Sequence, residues 1–205
     1  MSIQMEEEYK EKYGNVPFDS IQRISYMLDD MNLSRSKIDV FEEANRICGI
    51  KWHEIKFVVY LVPKATPRPR MSGRGVFYVK GAGDNKRFFK KYVKNLDDIT
   101  IITTPVKFYC SSYLPIPNAM KPAEKILAEL GFILPVTKPD WDNLAKTYCD
   151  MIQGTLIYDD SLIIEGHSVK RYSSKPRIEI TLEYMDDYDS EFNLRKIEKT
   201  MERKG

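Results

Sequence analysis

The apolar positions of this chain change period as the sequence proceeds. Over the first fifty residues they recur three and four apart, as in Ile21, Ile24 and Leu28, which is the spacing of one helix face. A second helix is expected from Ser36, capped by its hydroxyl with Asp39 three residues on, through Ile38, Phe41, Ala44 and Ile47 to a stop at Gly49. From Lys56 the pattern becomes a β-branched and aromatic run closed by Pro63, which reads as a strand. Residues 64–75 are rich in Pro, Arg and Gly and read as a loop, with proline restricting the backbone between arginines. A short strand over 76–79 follows, then a helix over 85–96 with Phe88, Phe89, Tyr92 and Val93 on its apolar side.

Further strands are expected over 106–114, 162–172 and 177–184, the last alternating cleanly as Ile178, Ile180, Leu182 and Tyr184. Between them fall a helix over 119–130 ending at Gly131 and one over 140–153 stopped by Gly154. The pattern divides the chain into an N-terminal helical extension, 1–50, a catalytic domain, 51–185, and a charged tail, 186–205.

The 205 residues suffice for one well-buried core plus an appendage. With 42% hydrophobic and 30% charged residues the composition is that of a soluble globular protein. No apolar run approaches the roughly 20 residues that cross a bilayer, and the acidic N-terminus does not resemble a signal peptide, so a cytoplasmic protein without a membrane partner is expected. Cys48, Cys110 and Cys149 lack the spacing of a disulfide framework or zinc site, and His53 and His167 stand alone.

Charge changes the picture more. The formal net charge is only +2, but residues 64–94 hold ten bases against one acid, whereas residues 1–50 hold ten acids and six bases. Arg68, Arg70, Arg74, Lys86, Arg87, Lys90 and Lys91, interleaved with Phe77 and Tyr78, suit contacts to nucleic-acid phosphates. Lys170, Arg171, Lys175 and Arg177 form a second basic cluster, which would equally keep a hairpin edge soluble.

The segment 138–172 carries the chemistry. Asp140 and Asp142 sit at a helix entrance, where they serve either as caps or as metal ligands. Asp142, Lys146 and Asp150 are spaced by four and share the face opposite the apolar stripe of Leu144, Tyr148, Met151 and Ile152. After Gly154 the chain returns through Asp159 and Asp160 into an apolar strand, a path that could bring Asp160 back towards that entrance. Clustered carboxylates repel unless a cation neutralises them, and hard oxygen ligands select Mg²⁺, with Mn²⁺ as a substitute. Such a site suits phosphodiester hydrolysis, with Lys146 stabilising charge on the phosphate or leaving oxygen. Asp150 and Asp159 are left outside the core set, and Asn143 either orients a carboxylate or helps the cap.

KPDWDNLAK, followed after a gap by DD and an apolar strand, resembles the signature of the RusA family of Holliday junction resolvases. That resemblance assigns the catalytic set to Asp140, Asp142, Lys146 and Asp160, with the three aspartates as metal ligands. It implies an α+β fold, a mixed β-sheet with helices packed on it, and a Mg²⁺-dependent homodimer that cuts opposing strands of branched DNA at a four-way junction. PRPRMSGRGVFYV resembles the arginine-bearing loop of many phage and Gram-positive members. Two other readings stay open: a structure-selective nuclease on forks or flaps, and a non-catalytic DNA-binding or assembly protein with the same fold.

Overall fold

Buried and part-buried side chains alternate along Val106–Pro115 (β4) and Arg177–Met185 (β6), so each strand offers one face to a core and one outward. These two strands pair antiparallel, from Val106 opposite Tyr184 to Tyr113 opposite Arg177, and form the middle of a four-stranded sheet. Trp52–Val59 (β1) flanks β6, and Ile163–Ser173 (β5) flanks β4 in parallel register, giving the order β1-β6-β4-β5. The sheet is therefore mixed, and with its helices the fold is α+β, as expected.

The computed structural model describes residues 3–31, 39–66, 70–72, 75–77, 83–94, 96 and 100–188. They fall into two units, Met1–Trp52 with Met185–Gly205, and His53–Tyr184.

The first unit contains Ile3–Tyr13 (α1), Phe18–Asp30 (α2) and Val40–Cys48 (α3). An aromatic chain joins them: Tyr9 meets Tyr13 and Phe18, and Tyr13 meets Phe41, with ring centroids 5.0–5.6 Å apart. Asp39 itself is the cap of α3, its carboxylate accepting from the Phe41 and Glu42 amides at 3.0 and 3.1 Å. The helix thus starts later than expected, and Ser36 lies outside the described residues. Gly14, at φ +60°, turns the chain after α1 where a side chain would strike Asn45.

In the second unit β1 starts four residues before the expected strand and ends at Val59, leaving Tyr60 to Val62 off the sheet. The cause is a competing bond: the Lys64 amide donates to the Tyr148 hydroxyl at 3.2 Å and draws the chain across Trp141–Ile152 (α6). Within the stretch expected as a loop, Arg70–Ser72 (β2) forms a strand that pairs antiparallel with Gly75–Phe77 (β3), which begins one residue before the strand expected over 76–79; residues 78 and 79 lie outside the described residues. Gly83–Lys94 (α4) follows and buries Phe89 and Val93, four apart, while Phe88 and Tyr92 face outward, so only half of its expected apolar side is core. Phe89 lies 6.3 Å from the Phe57 ring and 5.5 Å from that of Tyr148, joining α4, β1 and α6 in one core with Ile178, Ile180 and Leu182 of β6.

Pro122–Glu129 (α5) begins three residues later than expected. Pro122 at its first position keeps Lys121 extended, and the Lys121 amide donates to the Glu124 carboxylate at 2.7 Å. Gly131, at φ +81°, then reverses the chain, so that the Phe132 and Ile133 amides both donate back to the Leu127 carbonyl. At the end of the helix the Glu129 carboxylate accepts from the Ser173 hydroxyl at 3.0 Å and from the Ser174 amide, fastening α5 to the end of β5.

Those bonds, chiefly the one from the Ser174 amide, hold Glu129 below its ordinary carboxylate range. A depressed folded-state value means that the anchor is fully present above about pH 4.5 and is lost as pH falls through the lower folded value. The contribution is small because the group is exposed to solvent. Glu129→Gln should flatten the fall of the urea midpoint between pH 4.5 and pH 3, compared with the unsubstituted chain in the same titration.

Candidate active site

The site is built on α6, twelve residues and so about 18 Å long. Leu144, Tyr148, Met151 and Ile152 are buried against the sheet, which fixes the rotation of the helix about its axis. Its N-terminus is pinned twice. The Trp141 indole N–H donates to the Ser168 carbonyl of β5 at 2.7 Å. The Lys170 ammonium, also on β5, donates to the carbonyls of Thr137 and Pro139 at 2.8 and 3.1 Å, just beyond the cis Lys138–Pro139 peptide.

Lys170 is thereby committed to backbone. Arg177 packs over the Tyr113 ring at 3.7 Å and pairs with Glu179 at 2.7 Å, so the second basic cluster is in large part structural.

A second set of α6 side chains holds the segment that leads into the basic hairpin. The Asn143 amide donates to the Thr66 carbonyl at 3.1 Å, and the Thr66 amide donates to the Thr147 hydroxyl at 2.7 Å. With the Lys64 bond to Tyr148, three helix residues grip two loop residues, Lys64 and Thr66. Among the described residues, the Asn143 amide is engaged with the Thr66 carbonyl rather than with the helix cap or a carboxylate. Thr147 and Tyr148 were legible in sequence only as helix residues; the signal was the polar pair Asn143 and Thr147, four apart along the edge of the apolar stripe.

On the opposite face, Lys146 and Asp150 pair at 3.5 Å across one turn, Lys146 exposed and Asp150 half-buried. Asp140 occupies the N-cap position, yet its side chain accepts no capping hydrogen bond, so the carboxylate is not spent on the helix. Asp142 lies in the first turn, exposed.

At the far end Gly154, at φ +71°, starts the return, and the Ile102 backbone closes it through bonds with Leu156 and Tyr158. Asp159 serves structure there: its carboxylate accepts from the Ser161 amide at 3.2 Å and from the Gln153 side chain at 3.1 Å. It caps the single turn Asp160–Leu162, leaving Asp160 exposed at its start.

The half-buried Cys149 thiol reports where these charges lie. Burial, then the charges of Asp160 and Asp150, push it up to about 11, while Lys146 acts in the opposite sense. Asp160, Asp150 and Lys146 thus each lie within electrostatic range of Cys149, near the end of α6. Asp142 stands two turns back on the same face, about 10 Å along the axis, and Asp140 a little further. Among the described residues no three His, Cys, Asp or Glu side chains are placed to hold a metal ion. The acids form an outward strip rather than a closed cage, as unneutralised like charges on an exposed helix do. His53 stacks on Tyr184, and the exposed His167 lies near Tyr109.

Of the residues expected to contact DNA, Arg68 and Arg74 lie outside the described residues. Arg70 begins β2, and Lys86 lies within α4. Arg87 and Lys91 are exposed, four apart, beside the exposed Phe88 and Tyr92, so α4 offers a basic row next to an aromatic one. Lys90 is half-buried.

A family model described as endodeoxyribonuclease RusA matches residues 61–183. The match takes in α6, Asp160 and strands β4 and β5, and the chain belongs to this family of Holliday junction endodeoxyribonucleases, hydrolases that act on DNA. It is also similar to the uncharacterized protein YqaN of Bacillus subtilis (strain 168), 38% identical over 137 residues that cover 62% of this chain and 94% of that relative. No helix among the described residues is long and apolar enough to cross a membrane.

The crowding around Cys149 is open to a direct check. Asp160→Asn removes a charge that opposes the thiolate, so it should increase the thiol's ionisation and raise its alkylation rate at pH 9 by roughly twofold. Mass spectrometry of iodoacetamide adducts would follow it, with the exposed Cys48 as internal reference. An unchanged rate would place Asp160 away from α6.

Proposed function

We propose that this endodeoxyribonuclease is a cytoplasmic, divalent-metal-dependent Holliday junction resolvase that works as a homodimer and makes paired cuts in four-way DNA junctions. Its catalytic domain is 51–185, with 1–50 and 186–205 as appendages. The observation that carries the reading is the spare Asp140 carboxylate at the helix entrance, on the helix whose outward face also bears Asp142, Lys146 and, nearby, Asp160.

The donor set suits a hard cation. It consists of exposed carboxylates with no thiolate or imidazole among them, and Mg²⁺ takes only one or two protein carboxylates, filling its shell with water and substrate phosphate. Asp140, Asp142 and Asp160 would hold it, or Mn²⁺ in its place. When bound, such an ion supplies Lewis-acid polarisation of a phosphoryl oxygen and a more acidic water.

The chain's own residues do the rest. Lys146 leaves its exposed pairing with Asp150 to meet the anionic phosphate, an exchange that costs little because a solvent-facing ion pair is worth at most about 1 kcal/mol. Arg87 and Lys91 of α4, with Arg68, Arg70, Arg74, Lys86 and Lys90, neutralise backbone phosphates, and Phe88 and Tyr92 offer ring faces to bases unstacked at a branch point. Since α4 packs on α6 through Phe89 and Tyr148, bound DNA is held in fixed relation to the carboxylates.

Asp142→Asn should keep junction binding within about twofold and lower the cleavage rate by at least a hundredfold in Mg²⁺. Gel-shift and single-turnover assays on a synthetic four-way junction, a Y-fork and a linear duplex, each with Mg²⁺ or chelator, would measure both. Cutting that persists in chelator would overturn the metal assignment; preference for the fork would make the enzyme a structure-selective nuclease of another branched substrate.

A further inference from the structure

An aspartate at an N-cap ordinarily turns its carboxylate back onto the amides of the first helical turn, and that bond steadies the chain as it enters the helix. Asp140 makes no such bond, although its backbone has the extended conformation of a cap, φ −67° and ψ 142°. The entrance is held from β5 instead, on both sides of Asp140. Before it, the Lys170 ammonium spends two of its three N–H donors on the Thr137 and Pro139 carbonyls, and the second of these belongs to the peptide that joins Pro139 to Asp140. After it, the Trp141 indole donates to the Ser168 carbonyl. β5 is an outer strand of the sheet, so carbonyls on its free side have no ladder partner, and Ser168 has one to offer.

We propose that Lys170 is a positioning residue, which takes over the work of the missing cap so that the Asp140 carboxylate is held in place yet left open towards a divalent cation. The proposal rests on the reading of Asp140 as a metal ligand given above. Mg²⁺ demands near-ideal octahedral geometry with bonds of about 2 Å, and a ligand whose backbone is fixed one residue to each side loses less freedom on binding than one at a fraying helix end. An ammonium suits the task, since hydrogen bonds from a charged donor are shorter and stronger than neutral ones. Lys170 is half-buried and committed to these two carbonyls, so its effect on the cation is separable from phosphate binding.

Titration of the full chain with Mn²⁺ alone, followed by the electron paramagnetic resonance of the free ion, tests this without any cleavage step. Lys170→Met should raise the Mn²⁺ dissociation constant about tenfold, whereas Lys170→Arg, which restores the donors, should stay close to the unsubstituted chain. In an Asp140→Asn background Lys170→Met should add little, because its effect runs through that carboxylate. An unchanged affinity in Lys170→Met, or an equal loss in both backgrounds, would reject the positioning role and leave the metal reading standing. Should Lys170→Met lose its folded circular dichroism spectrum, Trp141→Phe, which keeps a ring without the N–H, carries the same cycle from the other side of Asp140. Junction affinity of Lys170→Met in chelator should match that of the unsubstituted chain, and a loss there would reassign Lys170 to DNA contact. An unsubstituted chain that binds no Mn²⁺, with or without junction DNA, would overturn the metal reading itself and this proposal with it.

Discussion

The burial of one stripe of α6 against the sheet is the constraint from which the remaining geometry follows. Leu144, Tyr148, Met151 and Ile152 lose nearly all contact with water, and burying each such side chain contributes about 1.5–3 kcal/mol. A helix so held cannot roll. With 100° between successive residues, fixing the apolar side also fixes where Asp142, Lys146 and Asp150 point, and which edge Asn143 and Thr147 present to the chain arriving from β1. The candidate carboxylates and the chain leading into the basic hairpin thus take their positions from the same packing event.

Most of this was legible because it depends on local period. The alternation in Ile178, Ile180 and Leu182, the four-residue spacing of the charged row, and the glycines at 131 and 154 each report on backbone within a few residues, and strands, helices and stops appear where they indicate. What the chain could not disclose by period was competition between distant partners. β1 ends at Val59 rather than Val62 because of a hydroxyl 84 positions away, and Lys170, a basic residue in a charged-looking strand, turns inward to two carbonyls. Phe88 and Tyr92 carry the wrong angular phase for the core despite their hydrophobicity, and only the stripe of Phe89 and Val93 enters it.

The carboxylates show the same division. Motif and spacing brought Asp140, Asp142, Lys146 and Asp160 forward, and the fold resolves the two aspartates that spacing could not separate: Asp159 is a cap, and Asp160 is left open. At the helix entrance the ordinary expectation of a capping aspartate is the one not met, since Asp140 takes the position without making the bond. A polar side chain in a capping position that declines the cap has its lone pairs available for another electrophile.

The grip of α6 on Thr66 has a geometric consequence for the basic arm. Only four residue steps separate Thr66 from Arg70, and extended chain covers at most about 3.6 Å per step, so the first residue of β2 starts within roughly 14 Å of the Thr66 anchor. The arm is a short leash fastened to the helix that carries the acids. Tether length alone therefore keeps the start of β2 in that neighbourhood, whatever the hairpin goes on to contact.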